Sequence, residues 1–179
     1  MPPVNEMNWQ LSHRADTPAQ LIADRHYNRQ KIGARQFVPP GRCFVLRMEG
    51  AIWVTSWPFA EYVKHEWAGA WINSCFRRES GPVASELIRE ALAATRWYWP
   101  DMPSVPWSYK GQSGTVAMVT FIDRDKVKHK RDFGRCYRKA GFKVIGETKG
   151  GLLALGIEHA DIPDPKEPLG AQLGLEISA

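Results

Sequence analysis

The sequence predicts a mixed α/β (α+β) domain in which a mostly antiparallel sheet carries helices on its faces. Three observations predict it. Apolar β-forming runs at Phe44 to Arg47, Ile52 to Ser56 and Thr115 to Ile122 are short, bounded by turn residues and rich in Val, Thr, Phe and Trp. Between them, Val83, Leu87, Ile88, Ala91 and Leu92 repeat at helical spacing and give one buried helix face. Finally, the order of strands and helices lacks both the regular alternation and the Gly-rich fingerprint of a dinucleotide-binding fold.

Taken in order, Asn8 to Arg14 can form a first strand. Thr17-Pro18 starts a helix reaching about His26, with threonine suited to capping free amides and proline losing no hydrogen bond at the first position. Met48-Glu49-Gly50 joins the next two strands as a hairpin. Trp71 to Phe76 makes another strand, and Ser80-Gly81-Pro82 punctuates before the amphipathic helix. After the Thr115 to Ile122 strand, a helix from Arg131 to Ala140 stops at Gly141, a residue suited to a left-handed C-terminus. Phe142 to Ile145 and Leu152 to Ile157 close the sheet as a strand pair. Residues 1–161 are expected to form a single domain, followed by an irregular C-terminal extension over 162–179 that holds Pro163, Pro165 and Pro168.

Composition narrows the class. With 44% hydrophobic and 24% charged residues, the 179-residue chain reads as globular. Its apolar runs are far shorter than the ~20 residues of a membrane-spanning helix, and no secretory signal begins it, so a cytoplasmic protein with no membrane partner is expected. Cys43, Cys75 and Cys136 are widely spaced and form no CxxC pair, which predicts reduced thiols and no metal site. The formal charge of +5 suits a polyanionic partner. Its densest segment runs through Arg124, Lys126, Lys128, Lys130, Arg131, Arg135 and Arg138, and reads either as a phosphate-contacting surface or as a solvated loop and helix face.

The run Tyr137-Arg138-Lys139-Ala140-Gly141-Phe142, at the end of a short helix that follows a strong strand and precedes two terminal strands, resembles the motif of the GNAT superfamily of N-acyltransferases. That resemblance implies a GNAT-like mixed sheet, acetyl-CoA or another acyl-CoA as donor, and a role for Tyr137 as the acid that protonates the departing thiolate. The other reading of Tyr137 is a ring packed on the sheet. GNAT proteins also hold pyrophosphate in a loop between a strand and its helix, and Arg78, Glu79, Ser80, Gly81, Val83 and Ala84, with Arg77 beside them, occupy that place here. Val83 and Pro82 depart from the usual pattern, and proline removes one donating amide.

Within that superfamily the chain is similar to the phage DNA-modification proteins of the Mom family, through His26-Tyr27, Arg77-Arg78-Glu79-Ser80, Asp123 and Tyr137 in the same order. This implies a DNA partner and an acceptor amino group on a DNA base, with Asp123, His26 and Tyr27 at the catalytic site beside Tyr137. Read from the residues alone, Asp123 either takes a proton from the attacking nitrogen or caps the turn that follows it, and His26 is a base or a surface group. Trp107 and Tyr109, in the polar, glycine-containing loop expected over Trp107-Ser108-Tyr109-Lys110-Gly111, are the aromatics best placed to stack on a base, although burial explains most of the tryptophans. A GNAT acetyltransferase for a small-molecule or protein amine, and a catalytically silent nucleic-acid-binding module, are the alternatives.

Overall fold

A computed structural model describes residues 7–127 and 133–171. Among the described residues, nine strands and three α-helices follow one another as β1 (Gln10–Leu11), α1 (Thr17–Asp24), β2 (Cys43–Met48), β3 (Ala51–Ser56), β4 (Trp71–Arg78), α2 (Ala84–Tyr98), β5 (Val105–Tyr109), β6 (Gln112–Val116), β7 (Met118–Ile122), α3 (Arg135–Lys139), β8 (Lys143–Glu147) and β9 (Leu153–Ile157). Seven strands form one sheet in the order β1-β2-β3-β4-β7-β9-β8, antiparallel throughout except where β4 meets β7. The mixed, mostly antiparallel sheet with helices on its faces is therefore present.

Alternation along the strands explains the layers. Trp53 points with Trp71, Phe44 and Leu155 into the core under α2 and α3, where Leu87, Ile88, Ala91 and Leu92 supply the helix face. Ile52 and Val54 point the other way, to Ala19, Ile22 and Ala23 of α1. On that same second face, Trp67, Val116, Val119 and Ala154 pack with Trp107 of the β5-β6 hairpin. One sheet face thus carries two separate covers, α1 over β3 and β4 and the β5-β6 hairpin over β8 and β9.

Several boundaries differ from expectation for identifiable reasons. β1 is only two residues long, because the chain turns away after Leu11 toward α1. The residue before α1 that occupies the cap position is Asp16 rather than Thr17, and it makes no capping bond, since Ser12 and Arg47 take its carboxylate. The expected strand from Thr115 to Ile122 is two strands. β6 pairs with β5 as far as Val116, and Ala117 then bonds Ile157 and Trp71 as β7 enters the main sheet. The stretch around Lys110-Gly111, expected as a loop, is a tight hairpin turn in which Lys110 (φ 48°) and Gly111 (φ 80°) are both left-handed. From Ile162 the chain returns along the domain: Ile162 is buried, and Leu169 bonds both Trp9 and Leu11.

No helix among the described residues is long and apolar enough to cross a membrane.

Candidate functional site

Strands β4 and β7 run parallel for only three pairs, Trp71↔Met118, Ile72↔Val119 and Asn73↔Thr120, and then separate. Past that point β4 pairs on its other side with β3, and Phe121 and Ile122 of β7 pair with β9. Two strand edges therefore face each other without bonding, and the space between them is a cleft of about 720 Å³. It is walled by both edges, by the start of α2, by His26 to Asn28 and by α3.

Polar side chains fix the point of separation. The Thr120 hydroxyl donates to the Asn73 carbonyl at 3.0 Å, filling the acceptor at which the ladder ends. A β-bulge lies beside it: Val54 pairs with Cys75 but Thr55 with Asn73, so Ser74 is the extra residue. The Asn73 amide, 3% exposed, donates to the Val54 carbonyl at 2.9 Å and the Cys75 carbonyl at 3.2 Å. Asn73 and Thr120 were not singled out from the sequence. An asparagine inside the apolar run Trp71-Ile72-Asn73-Ser74-Cys75-Phe76 was the available signal, since strands are poor in Asn.

Tyr137 reaches this apex from α3. Its hydroxyl donates to Asn73 Oδ1 at 2.5 Å, while Phe76 and Phe142 meet its ring edge-on. Burial raises its pKa well above the ordinary tyrosine value, so the phenol is protonated at neutral pH. Local sequence places it: Gly134 is left-handed (φ 71°) immediately before α3, and Gly141 (φ 115°) ends the helix. The Arg89 guanidinium bonds the Ala140 carbonyl and ties α3 to α2. The helix expected over Arg131 to Ala140 begins at Arg135 within the described residues.

At the other end, the loop into α2 is held by Arg78, which donates to the carbonyls of Pro82 (2.6 Å) and Gly81 (2.8 Å). The amides of Glu79 and Ser80 are taken by the Gly50 carbonyl at the β2-β3 turn. Those two amides, at Glu79 and Ser80 of the expected loop from Arg77 to Ala84, are therefore occupied within the protein. What remains is the first turn of α2, where Val83, Ala84 and Ser85 line the cleft with helix-start amides that have no intrahelical acceptor. Arg77, Arg78, Arg135 and Lys139 add positive charge along the same walls.

Glu79 serves the scaffold. Its carboxylate takes two bonds of 2.6 Å from Arg25 and one of 2.9 Å from Arg77, and these guanidiniums, Arg25 foremost, lower its pKa to about 2. The pair Arg25–Glu79 joins the end of α1 to the end of β4, and so fixes the segment that follows α1 across the cleft. In that segment His26 stacks on Tyr27 at 4.5 Å, and the Asn28 amide donates to the Ser74 carbonyl at 3.0 Å. The His26 ring lies against Asn28 Oδ1 and the Phe76 backbone, and burial lowers its pKa. Burial raises the pKa of Tyr27, whose hydroxyl is hydrogen-bonded by the backbone of Asp123. His26, Tyr27 and Tyr137 are thus brought to one cleft. Asp123, just beyond β7, caps a turn by accepting the Asp125 amide at 3.1 Å.

The expected nucleic-acid contacts separate. Trp107 is 7% exposed, packed under the hairpin with Trp67 and Val116, so its ring offers no face to a base. Tyr109 packs partly against the same cluster, with the Lys110 ammonium over its ring. Arg124 pairs with Glu147 at 3.2 Å and Lys126 is exposed. Lys128, Lys130 and Arg131 lie outside the described residues. Cys75 borders the cleft, but burial pushes its thiol up to about 12, away from nucleophilic chemistry at neutral pH. Among the described residues no group of His, Cys, Asp and Glu could hold a metal ion.

No protein-family model, no curated protein and no solved structure matches the chain.

Proposed function

We propose that this chain is an acyl-CoA-dependent N-acyltransferase built on a GNAT-like fold. The observation that carries the reading is the separation of β4 from β7 at Asn73↔Thr120 with the Tyr137 hydroxyl at its apex. Unpaired strand edges are templates for an extended, amide-bearing chain, and the pantetheine arm of CoA is such a chain. Laid along the β4 edge, it would set its thioester near Tyr137, with its pyrophosphate at the start of α2 and among Arg78, Arg135 and Lys139.

In this reaction an uncharged amine attacks the thioester carbonyl, the C–N bond forms, and the oxyanion collapses with cleavage of the C–S bond. Tyr137 gives its proton to the leaving thiolate and recovers one from solvent. The proton lost by the attacking nitrogen passes to water held near Asp123 or His26. General-acid assistance of this type contributes roughly 10²–10⁴ in rate. Burial supports the role by keeping the phenol protonated.

The acceptor we propose is an amino group of a DNA base, which rests on the similarity to the Mom family and on the basic segment that begins at Arg124. A small-molecule or protein amine is favoured instead by two findings: the burial of Trp107 and the pairing of Arg124 with Glu147. Mass spectrometry of nucleosides from plasmid DNA separates the two, using cells that express the wild type or Tyr137→Phe. A new mass that depends on Tyr137 is expected. A nucleoside profile unchanged by the wild type, together with acylation of a small amine by the purified protein, would overturn the DNA acceptor.

A further inference from the structure

We propose that Asn73 is the positioning residue that sets the direction of the Tyr137 hydroxyl and couples it to the strand edge on which the donor would lie. The proposal rests on the acyl-transfer reading but is carried by a different set of contacts. Both protons of the Asn73 amide are spoken for, one by the Val54 carbonyl at 2.9 Å and one by the Cys75 carbonyl at 3.2 Å. Turning the amide over would set its oxygen against those two carbonyls and its NH₂ against a hydroxyl proton. Oδ1 is therefore fixed as an acceptor, and Tyr137 donates to it at 2.5 Å.

The ring of Tyr137 has little freedom of its own. Phe142 meets it at 5.2 Å and 77°, and Phe76 at 6.1 Å and 77°, so the remaining motion is rotation of the hydroxyl about its C–O bond. Asn73 Oδ1 holds that rotation. An amide oxygen is a neutral acceptor and a thiolate a charged one, so a thiolate forming within reach draws the proton away by rotating the hydroxyl. Because Oδ1 donates nothing, the tyrosinate left behind gains no stabilisation from Asn73; the side chain that favours the anion is Thr120.

The same amide holds the bulge. Val54 pairs with Cys75 rather than with Ser74, and the Asn73 NH₂ bridges the Val54 and Cys75 carbonyls across this irregularity. A shift of the β4 edge would therefore move the acceptor of the Tyr137 proton with it. Placement of the donor and aim of the acid are one unit.

Two variants separate the two halves of the side chain. Asn73→Asp keeps an acceptor toward Tyr137 and loses the NH₂; Asn73→Leu keeps the approximate size and loses both. The first readout is independent of turnover: the ¹³Cζ resonance of Tyr137, assigned by its disappearance in Tyr137→Phe. It is expected to move in both variants, and further in Asn73→Leu, because Asn73→Asp loses the bonds that orient the side chain but still offers the hydroxyl an oxygen. The second is release of free CoA thiol from acetyl-CoA with water or a simple amine as acceptor. Asn73→Leu should lower kcat by about 10–100-fold, the scale of a misaimed catalytic group, with KM changed far less, and Asn73→Asp should recover part of the loss.

An unmoved resonance in Asn73→Leu, or a loss confined to KM, overturns the positioning role. If Asn73→Leu does not fold, Asn73→Asp decides: a resonance unmoved by that variant overturns it. A wild type that neither binds nor turns over acetyl-CoA, with a resonance that still responds to Asn73, removes the acyl-transfer reading and leaves Asn73 as the anchor of the hydroxyl.

Discussion

Thr120→Val replaces one side chain by another of nearly equal volume and deletes a single hydroxyl. That hydroxyl is buried, with the residue 4% exposed, and it donates to the Asn73 carbonyl at the point where β4 and β7 part. A net hydrogen bond contributes about 0.5–1.5 kcal/mol, and leaving a buried carbonyl without a partner costs roughly 1–3 kcal/mol. The added methyl group gains little of this back, because the hydroxyl it replaces faces the Asn73 carbonyl, Asn73 Oδ1 at 3.5 Å and Tyr137; about 0.8 kcal/mol for one carbon is the ceiling. The expected loss is thus about 1 kcal/mol, or ~2–4 °C in Tm for a chain of this size. Thr120→Ser keeps the donor but loses a buried methyl group, about 0.8 kcal/mol on the same scale, and so reports the methyl separately from the hydroxyl. Urea unfolding of the three proteins at neutral pH measures the difference as a lower midpoint with an unchanged slope. If Thr120→Val is as stable as the wild type while Thr120→Ser is weaker, the hydroxyl does not hold the end of the ladder, and the account of why the strands separate fails.

Glu79 gives a pH signature. Its carboxyl is lowered from 4.5 to about 2 by Arg25 and Arg77, so its contribution is whole above pH 4.5 and disappears as pH falls toward 2. Acid unfolding of Glu79→Gln should therefore show a stability deficit at pH 7 that closes below pH 3; a deficit that persists there would refute the ion-pair account. Gly134→Ala should destabilise the protein by about 1 kcal/mol or more, because the residue is left-handed and a Cβ there would lie 2.5 Å from Leu155 Cδ1 and 2.8 Å from Ile122 Cδ1. Thermal melting checks it, and an unchanged Tm would mean that the turn before α3 relaxes freely.

What was legible in the sequence follows from periodicity. Phe44 to Arg47 and Ile52 to Ser56 alternate around a glycine turn, and Leu87, Ile88, Ala91 and Leu92 mark a helix face, so these elements stand where expected. The β5-β6 hairpin was missed because its turn, Lys110-Gly111, puts a lysine in the left-handed region where asparagine or aspartate is the usual signal. Trp107 looked available because it lies among polar residues, yet alternation in a strand turns it inward while Ser108 faces out. Arg78 and Glu79 were legible as charged residues at a strand end, but their partners, the Pro82 carbonyl and Arg25, are set by tertiary approach. Asn73 and Thr120 lie 47 residues apart, and only the parallel pairing of β4 and β7 makes them one feature.

The central claim is that the cleft beside Tyr137 receives an acyl-CoA. Calorimetric titration of acetyl-CoA into the purified protein tests it most directly. Saturable one-to-one binding is predicted, weakened by added salt and about tenfold weaker in Arg78→Gln, which removes a cleft-lining charge and the clamp on the loop before α2. Absence of binding by the wild type, or binding indifferent to both salt and Arg78, would contradict it.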